Sequence, residues 1–354
     1  MKIQPSLYYL GLSCFPISLL SLLNIFYSYY FEYLLDLNSY IIVLILSSII
    51  GFTFFLLGKS KKDEIGIYEQ IFLVFLIYVF CSLFISIPFY LSSYGIGFVD
   101  SYFESISGLT GTGFSIFTDI KNLDQPLIIW RSSSQWLGGF LFLVCLVLIF
   151  SNKQINFKMT DYVYNFEKKI NFSKNLLNVS YRIFFIYLIL TLIIFLLFSF
   201  SGLRIFNSLN LSMSLISSGG FLPTNSLNDI LTTNLQLFIL TLSFLISILN
   251  FYILYNIFFK RDDLKYHSED LYLFLIFLSF SLIFYLLNSF NILTVLASVL
   301  SSIGNSGLST TTIPNNYNLF FLILTIIGGS VLSNTSGIKL IRIYILIKAF
   351  FIEI

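Results

Sequence analysis

The sequence predicts an all-α integral membrane protein of about eight transmembrane helices, interrupted by three re-entrant helix-and-loop insertions in pseudo-symmetric repeats. Three observations predict it. The chain is 57% hydrophobic and only 10% charged, against about 25% charged residues in soluble chains. So few charges cannot solvate a surface, and lipid must cover most of it. Apolar stretches of roughly spanning length fall near 7–29, 40–58, 69–92, 128–150, 182–201, 235–259, 270–289 and 318–350. Three connections, at about 93–127, 202–234 and 290–317, hold a semi-apolar segment too short to span, then a cluster of Gly, Ser and Thr. Non-helical backbone at membrane depth is tolerated only where protein or a water-filled path solvates it.

The elements follow in order. Residues 1–66 hold two leading helices. The first runs from about Tyr8 to Tyr30 without a small-residue cleavage site, so it reads as a membrane helix and not a signal peptide. Three helix–loop–helix repeats occupy 67–152, 175–262 and 268–354, the last with a glycine-containing broken helix. Basic residues fall in every second connection: Lys59, Lys61 and Lys62; Lys153, Lys158, Lys168, Lys169, Lys174 and Arg182; Lys260, Arg261 and Lys265; and Lys339, Arg342 and Lys348 at the end. These faces are expected in the cytoplasm, with the N-terminus. The opposite connections carry Glu32, Asp36, Asp100, Glu104, Asp119 and Asp229. Arg131 reads as a side chain that snorkels at the outer boundary or anchors the first loop through a carboxylate such as Asp124. Lys339 and Arg342 read as inner-boundary anchors.

The three small-residue clusters align: Thr110-Gly111-Thr112-Gly113 before Phe114, Ser217-Ser218-Gly219-Gly220 before Phe221, and Gly304-Asn305-Ser306-Gly307 before Leu308. Upstream, 103–109, 209–215 and 296–302 are also similar. A dehydrated cation needs oxygens in place of water, and backbone carbonyls with Thr or Ser hydroxyls supply them without fixed charge. Gly allows the dihedrals that aim several carbonyls one way. The preceding short helix directs its partially negative C-terminal end at the ion. The Phe or Leu that follows is expected to brace the strand from behind. For each cluster alone, close helix packing or a plain loop is the ordinary alternative.

Other chemistry finds little support. Cys14, Cys81 and Cys145 lie in apolar runs and read as small buried hydrophobes. His267 is the only histidine and reads as solvated. No metal, nucleophile or P-loop motif is present, so no cofactor and no enzyme activity is expected. A net charge of +2 gives no reason to expect nucleic acid. An enzyme acting on lipid would need clustered acidic or His residues at the membrane boundary, and Asp100 with Glu104 is the near pair that reads as a candidate.

At several stretches the chain resembles the Trk/Ktr/HKT superfamily of potassium transporters, closest to TrkH-type membrane subunits. These are Ile87-Pro88-Phe89-Tyr90-Leu91, Phe103 to Gly113, Trp130-Arg131-Ser132 with Gln135-Trp136-Leu137-Gly138-Gly139, Ser218-Gly219-Gly220-Phe221, and Gly328-Gly329 through Ser336-Gly337-Ile338-Lys339-Leu340-Ile341-Arg342. The resemblance implies potassium uptake across a bacterial plasma membrane with K+ as the transported ion. It implies a filter lined by the three clusters and a gating loop containing Gly328, Gly329, Ser333, Asn334, Thr335, Ser336 and Gly337. It also implies a homodimer in the lipid bilayer and a cytoplasmic nucleotide-binding regulatory subunit. Gly, Ser, Asn and Thr midway along an apolar span can unwind it, in agreement with a loop there; a merely kinked helix is the alternative. The chain departs from the pattern in three ways. Asn305 stands where Thr or Ser is usual, Ser330 to Thr335 is poor in glycine, and only three of four repeats are found. A ring without one quarter would expose filter carbonyls to hydrocarbon, at several kcal/mol for each. The expectation is therefore a fragment, a further polypeptide supplying the fourth repeat, or a non-conducting homologue that partners a complete transporter.

Overall fold

A computed structural model describes residues 3–59, 66–150, 172–251, 253, 254, 257, 268–288, 290–310 and 315–353. Twelve α-helices are found among them. Two leading helices, α1 (Ile3–Tyr30) and α2 (Leu37–Gly58), precede α3 (Ile67–Tyr90), the short α4 (Phe98–Thr110) and α5 (Gln125–Phe150). Next come α6 (Phe172–Phe200), the short α7 (Ile205–Ile216) and α8 (Asn234–Ile248). The last group is α9 (Ser268–Leu287), the short α10 (Ile292–Gly304), α11 (Asn318–Ile327) and α12 (Leu340–Glu353). Two compact units divide the chain, Met1–Tyr181 and Arg182–Ile354.

Among the described residues, five helices are long and apolar enough to cross a membrane, within α1, α2, α3, α6 and α9. The protein is therefore a multi-pass, all-helical membrane protein, as expected. The other three expected spans fall on α5, on α8 and on the pair α11 and α12. Polar residues from Arg131 to Gln135 interrupt the apolar character of α5. After Ile248, α8 stops, because Leu249 is extended at φ −63° and ψ 154°. The last span is broken between α11 and α12. Of the basic connections that set the expected orientation, residues 60–65, 151–171 and 258–267 lie outside the described residues, His267 among them.

In the first unit, α1 pairs with α2, and α4 lies between α3 and α5. Several of its buried polar groups tie helices together, as groups shielded from water tend to do. The Trp130 indole donates to the Ile85 carbonyl (3.0 Å), tying α5 to α3. Asn24 donates to the Pro126 carbonyl (3.0 Å) and the Tyr27 hydroxyl to Gln125 Oε1 (2.6 Å), tying α1 to the start of α5. Gly138 admits the closest approach: a Cβ there would lie 2.0 Å from the Leu109 carbonyl oxygen, so α5 meets the end of α4 backbone to backbone. Cys14, Cys81 and Cys145 are all buried free thiols.

In the second unit, α10 packs on α8, α9 and α11, and α7 packs on α8. A capping box between Thr233 and Gln236 starts α8, and Gln236 Nε2 also donates to the Ser201 carbonyl at the end of α6 (3.3 Å).

Candidate functional site

The three short helices end in the same way. After α4, the Gly111 N–H bonds the Gly108 carbonyl and the Thr112 N–H bonds the Ser107 carbonyl, each 3.0 Å. After α7, the Ser218 N–H bonds Leu215 (3.1 Å) and the Gly219 N–H bonds Ser214 (3.0 Å). After α10, the Asn305 N–H bonds Ser302 (3.2 Å) and the Ser306 N–H bonds Ser301 (3.1 Å). This paired pattern is the Schellman motif, which needs a left-handed residue just past the helix. Gly111, Ser218 and Asn305 fill that position, at φ 69°, 54° and 55°. Two residues later a second positive φ recurs, at Gly113 (81°), Gly220 (83°) and Gly307 (68°). The departure at Asn305 thus has a backbone reason: Asn tolerates the left-handed region better than most side chains.

This register places Ser107, Ser214 and Ser301 in equivalent positions, one residue off from the upstream pairing of 103–109 with 209–215 and 296–302. The hydroxyls of two of these serines bond within their turns. The Ser107 hydroxyl donates to the Phe114 carbonyl (2.5 Å), and the Ser301 and Ser306 hydroxyls lie 2.9 Å apart.

Within the second unit, the second and third turns adjoin. A Cβ on Gly220 would stand 2.2 Å from the Ser306 carbonyl oxygen, so only glycine fits. Asn305 Nδ2 donates to the Thr325 carbonyl on α11 (3.0 Å), tying the third turn to the helix above the break.

Bracing from behind holds for two turns and fails for one. Phe221 and Leu308 are buried, whereas Phe114 is 69% exposed. The first turn is braced by charge instead. Arg131 Nε meets Glu104 Oε1 at 2.8 Å, with both side chains at 1% exposure or less. Glu104 also accepts from the Ser115 hydroxyl (3.0 Å) and the Ile116 N–H (2.9 Å). Arg131 Nη2 donates to Ser115 Oγ (2.9 Å). Glu104, and not Asp124, is thus the carboxylate that Arg131 holds, and Arg131 does not snorkel to a boundary. This also removes Glu104 from the acidic pair considered for an enzyme.

The break in the last span is a structured excursion. The Ile338 N–H bonds the Ile326 carbonyl (2.9 Å) and the Lys339 N–H bonds Ile327 (3.0 Å), which closes a neck between α11 and α12. Gly328 and Gly337 meet there at φ 67° and 91°, and a Cβ on Gly337 would lie 2.8 Å from Gly328 Cα. Inside the loop, the Gly329 N–H donates to Thr335 Oγ1 (3.0 Å), and the Ser333 and Thr335 hydroxyls lie 2.8 Å apart. Asn334 Nδ2 reaches the Ile216 carbonyl (2.8 Å), the last residue of α7 before the second turn. Ser336 and Gly337 are exposed.

The loop is docked on groups that the sequence did not single out. The Ser330 N–H bonds the Ile248 carbonyl (3.1 Å) and the Phe251 N–H bonds Leu332 (2.7 Å), so the break in α8 faces the break in the last span. The Val331 N–H bonds Glu269 Oε1 (3.1 Å) and the Asn250 N–H bonds Asp270 Oδ1 (2.9 Å). Asn250 inside an apolar run, and Glu269-Asp270 at the start of one, were the signals available. Lys339 corrects a reading: it is not an anchor at the inner boundary but is 5% exposed, with its ammonium inside the loop. Arg342 is exposed, as a boundary anchor would be.

No family model matches the chain. The chain is 27% identical over 315 residues to an uncharacterized cation transporter of Methanocaldococcus jannaschii, covering 86% of this chain and 64% of the relative. It is 25% identical over 316 residues to the Trk system potassium uptake protein TrkH of Halomonas elongata, covering 84% and 65%. With the TrkH of Escherichia coli K12 the figures are 24% over 310 residues, covering 82% and 64%. The crystal structure of the potassium transporter TrkH from Vibrio parahaemolyticus has the same fold, with a TM-score of 0.85 at 22% identity over 100% of this chain and 76% of that one. The chain spans just under two thirds of the length of these curated relatives.

Proposed function

From the premise that the chain is a TrkH-type relative of the Trk/Ktr/HKT superfamily, we propose that it serves the uptake of potassium, a monovalent cation, across a plasma membrane, with its N-terminus in the cytoplasm. In this reading, Thr110–Gly113, Ser217–Gly220 and Gly304–Gly307 give backbone and hydroxyl oxygens to the dehydrated ion. The short helices direct their C-terminal dipole ends toward it. The loop from Gly328 to Gly337 acts as the gate. The relatives' names support transport and not enzyme chemistry.

One observation carries this reading: three short helices end in one backbone solution, a left-handed residue followed two positions on by a positive-φ glycine. A packing turn needs the first feature; it has no need of the second, three times over. The gate assignment draws support from Asn334, which joins the loop to the carbonyl just before the second turn.

A homodimer, a cytoplasmic nucleotide-binding regulatory subunit and a polypeptide supplying a fourth repeat are the partners this reading calls for. The test is rubidium or potassium uptake by a transport-deficient cell expressing the chain, with and without a supplied fourth repeat. Uptake that disappears in Gly220→Ala is the expected result. Absence of uptake in both settings contradicts transport and favours the reading of a non-conducting partner of a complete transporter.

A further inference from the structure

Lys339 is an unusual residue for its place. It follows the loop directly, has a positive φ of 77° that an L side chain rarely adopts, and is 5% exposed. Its backbone N–H closes the neck on the Ile327 carbonyl, which holds the conformation. Strain kept in place by surrounding bonds is a feature of functional sites. The side chain then turns back into the loop. Its ammonium donates to Ser333 Oγ (3.2 Å), Thr335 Oγ1 (2.9 Å) and the Thr335 carbonyl.

Its three hydrogen-bond partners are neutral oxygens, two hydroxyls and one carbonyl, while the charges of Glu269 and Arg342 act on it through space without a direct bond. The nearest acid bonded to the loop, Glu269, has an oxygen on the Val331 N–H. A buried cation normally bonds a carboxylate directly. Here it takes the donor set with which a protein replaces the water of a potassium ion. The loop's shape does not depend on the ammonium alone, because bonds from Ser330, Val331 and Asn334 to Ile248, Glu269 and Ile216 dock it independently.

We propose that Ser333 and Thr335 form a seat for a monovalent cation within the loop, and that the Lys339 ammonium fills it as a tethered substitute, fastening the loop shut. An ammonium and a potassium ion carry the same charge and accept similar oxygen shells, so either can occupy the seat, and they exclude one another. When the lysine withdraws, a free cation takes its place and the loop is released from α12. This inference rests on the transport reading above for its consequence, but the seat itself is tested without transport.

The experiment uses the purified full chain and Lys339→Ala. Thermal unfolding is measured in potassium, rubidium or ammonium chloride against N-methylglucamine chloride at equal ionic strength. The native chain sets the baseline for ions bound at the turns. Lys339→Ala is expected to melt lower than native in N-methylglucamine, and to regain the loss in any of the three small cations. Adding Thr335→Val removes one seat oxygen and is expected to abolish the recovery. An equal cation response in native and Lys339→Ala overturns the proposal, as does a recovery that survives Thr335→Val. If Lys339→Ala does not fold without small cations, its recovery on purification in potassium, and not in N-methylglucamine, reads the same seat; failure in both overturns it. Rubidium uptake is measured in parallel, and Lys339→Ala is expected to exceed native several-fold. If native does not transport while the seat behaves as described, the transport reading fails and the seat stands.

Discussion

Glu104 and Arg131 illustrate how far a single residue's role depends on the fold. Arg131 was legible as a residue near the first turn, and Glu104 as an acid in the short segment before it. Their pairing was not legible, because 27 positions separate them and only the re-entry of α4 beside α5 joins them. A buried pair is weak evidence of net stabilisation, but removing one partner leaves a charge without compensation, at about 3–5 kcal/mol. Arg131→Met or Glu104→Gln alone should each lower stability by roughly that amount, and the double variant should lose less than the sum. A denaturant titration of the purified chain checks this; additive losses contradict the shared network.

Glycine positions at the turns separate into two kinds. At the first positive-φ position, Gly, Ser and Asn all occur, so Gly111→Asn should leave stability within about 1–2 kcal/mol of native. At the second position all three are Gly, and Gly220 has the Ser306 carbonyl where a Cβ would go. Gly220→Ala should therefore cost on the order of 1–3 kcal/mol from its backbone angle alone, with the clash in addition. Comparing the melting of the two variants tests the assignment; equal losses contradict it.

At the scale of elements, the small-residue pattern made the three turns and the broken helix legible, because Gly and short polar residues leave a mark on composition. The break in α8 was not legible. Ser247 to Asn250 contains no Gly or Pro, and the helix ends because its free backbone groups have partners in the loop opposite. Tertiary partners overrode an apolar run that reads as continuous helix. The neck of the loop has its own consequence. Its two bonds run from residue i to residue i−12, where a helix uses i−4, so eight residues are extruded from an otherwise closed ladder. Deleting residues 329–336 should let α11 and α12 join as one helix. The deleted chain should fold, and its cation uptake should no longer respond to a Lys339 substitution. A chain that loses its helical content on deletion contradicts the extruded-loop geometry.

For the whole molecule, hydropathy and the scarcity of charge fixed the environment and the class of fold before any contact was known. The register of the repeats followed from the turns, although the flanking helices were aligned one residue off, since apolar helix faces tolerate such a slip and turns do not. Lys339 shows the limit. A lysine after an apolar span reads as a boundary anchor on composition, and only the reversal of the chain at Gly337 turns it inward. Chemistry carried by chain reversal leaves no local trace in sequence.

The central claim is that the oxygens of these turns replace an ion's hydration. Rubidium anomalous diffraction on crystals of the full chain tests it most directly. The account predicts a rubidium peak within coordination distance of backbone oxygens in Ser217–Gly220 and Gly304–Gly307, lost when Gly220→Ala separates the two turns. Rubidium bound elsewhere, with none at either turn, would contradict it.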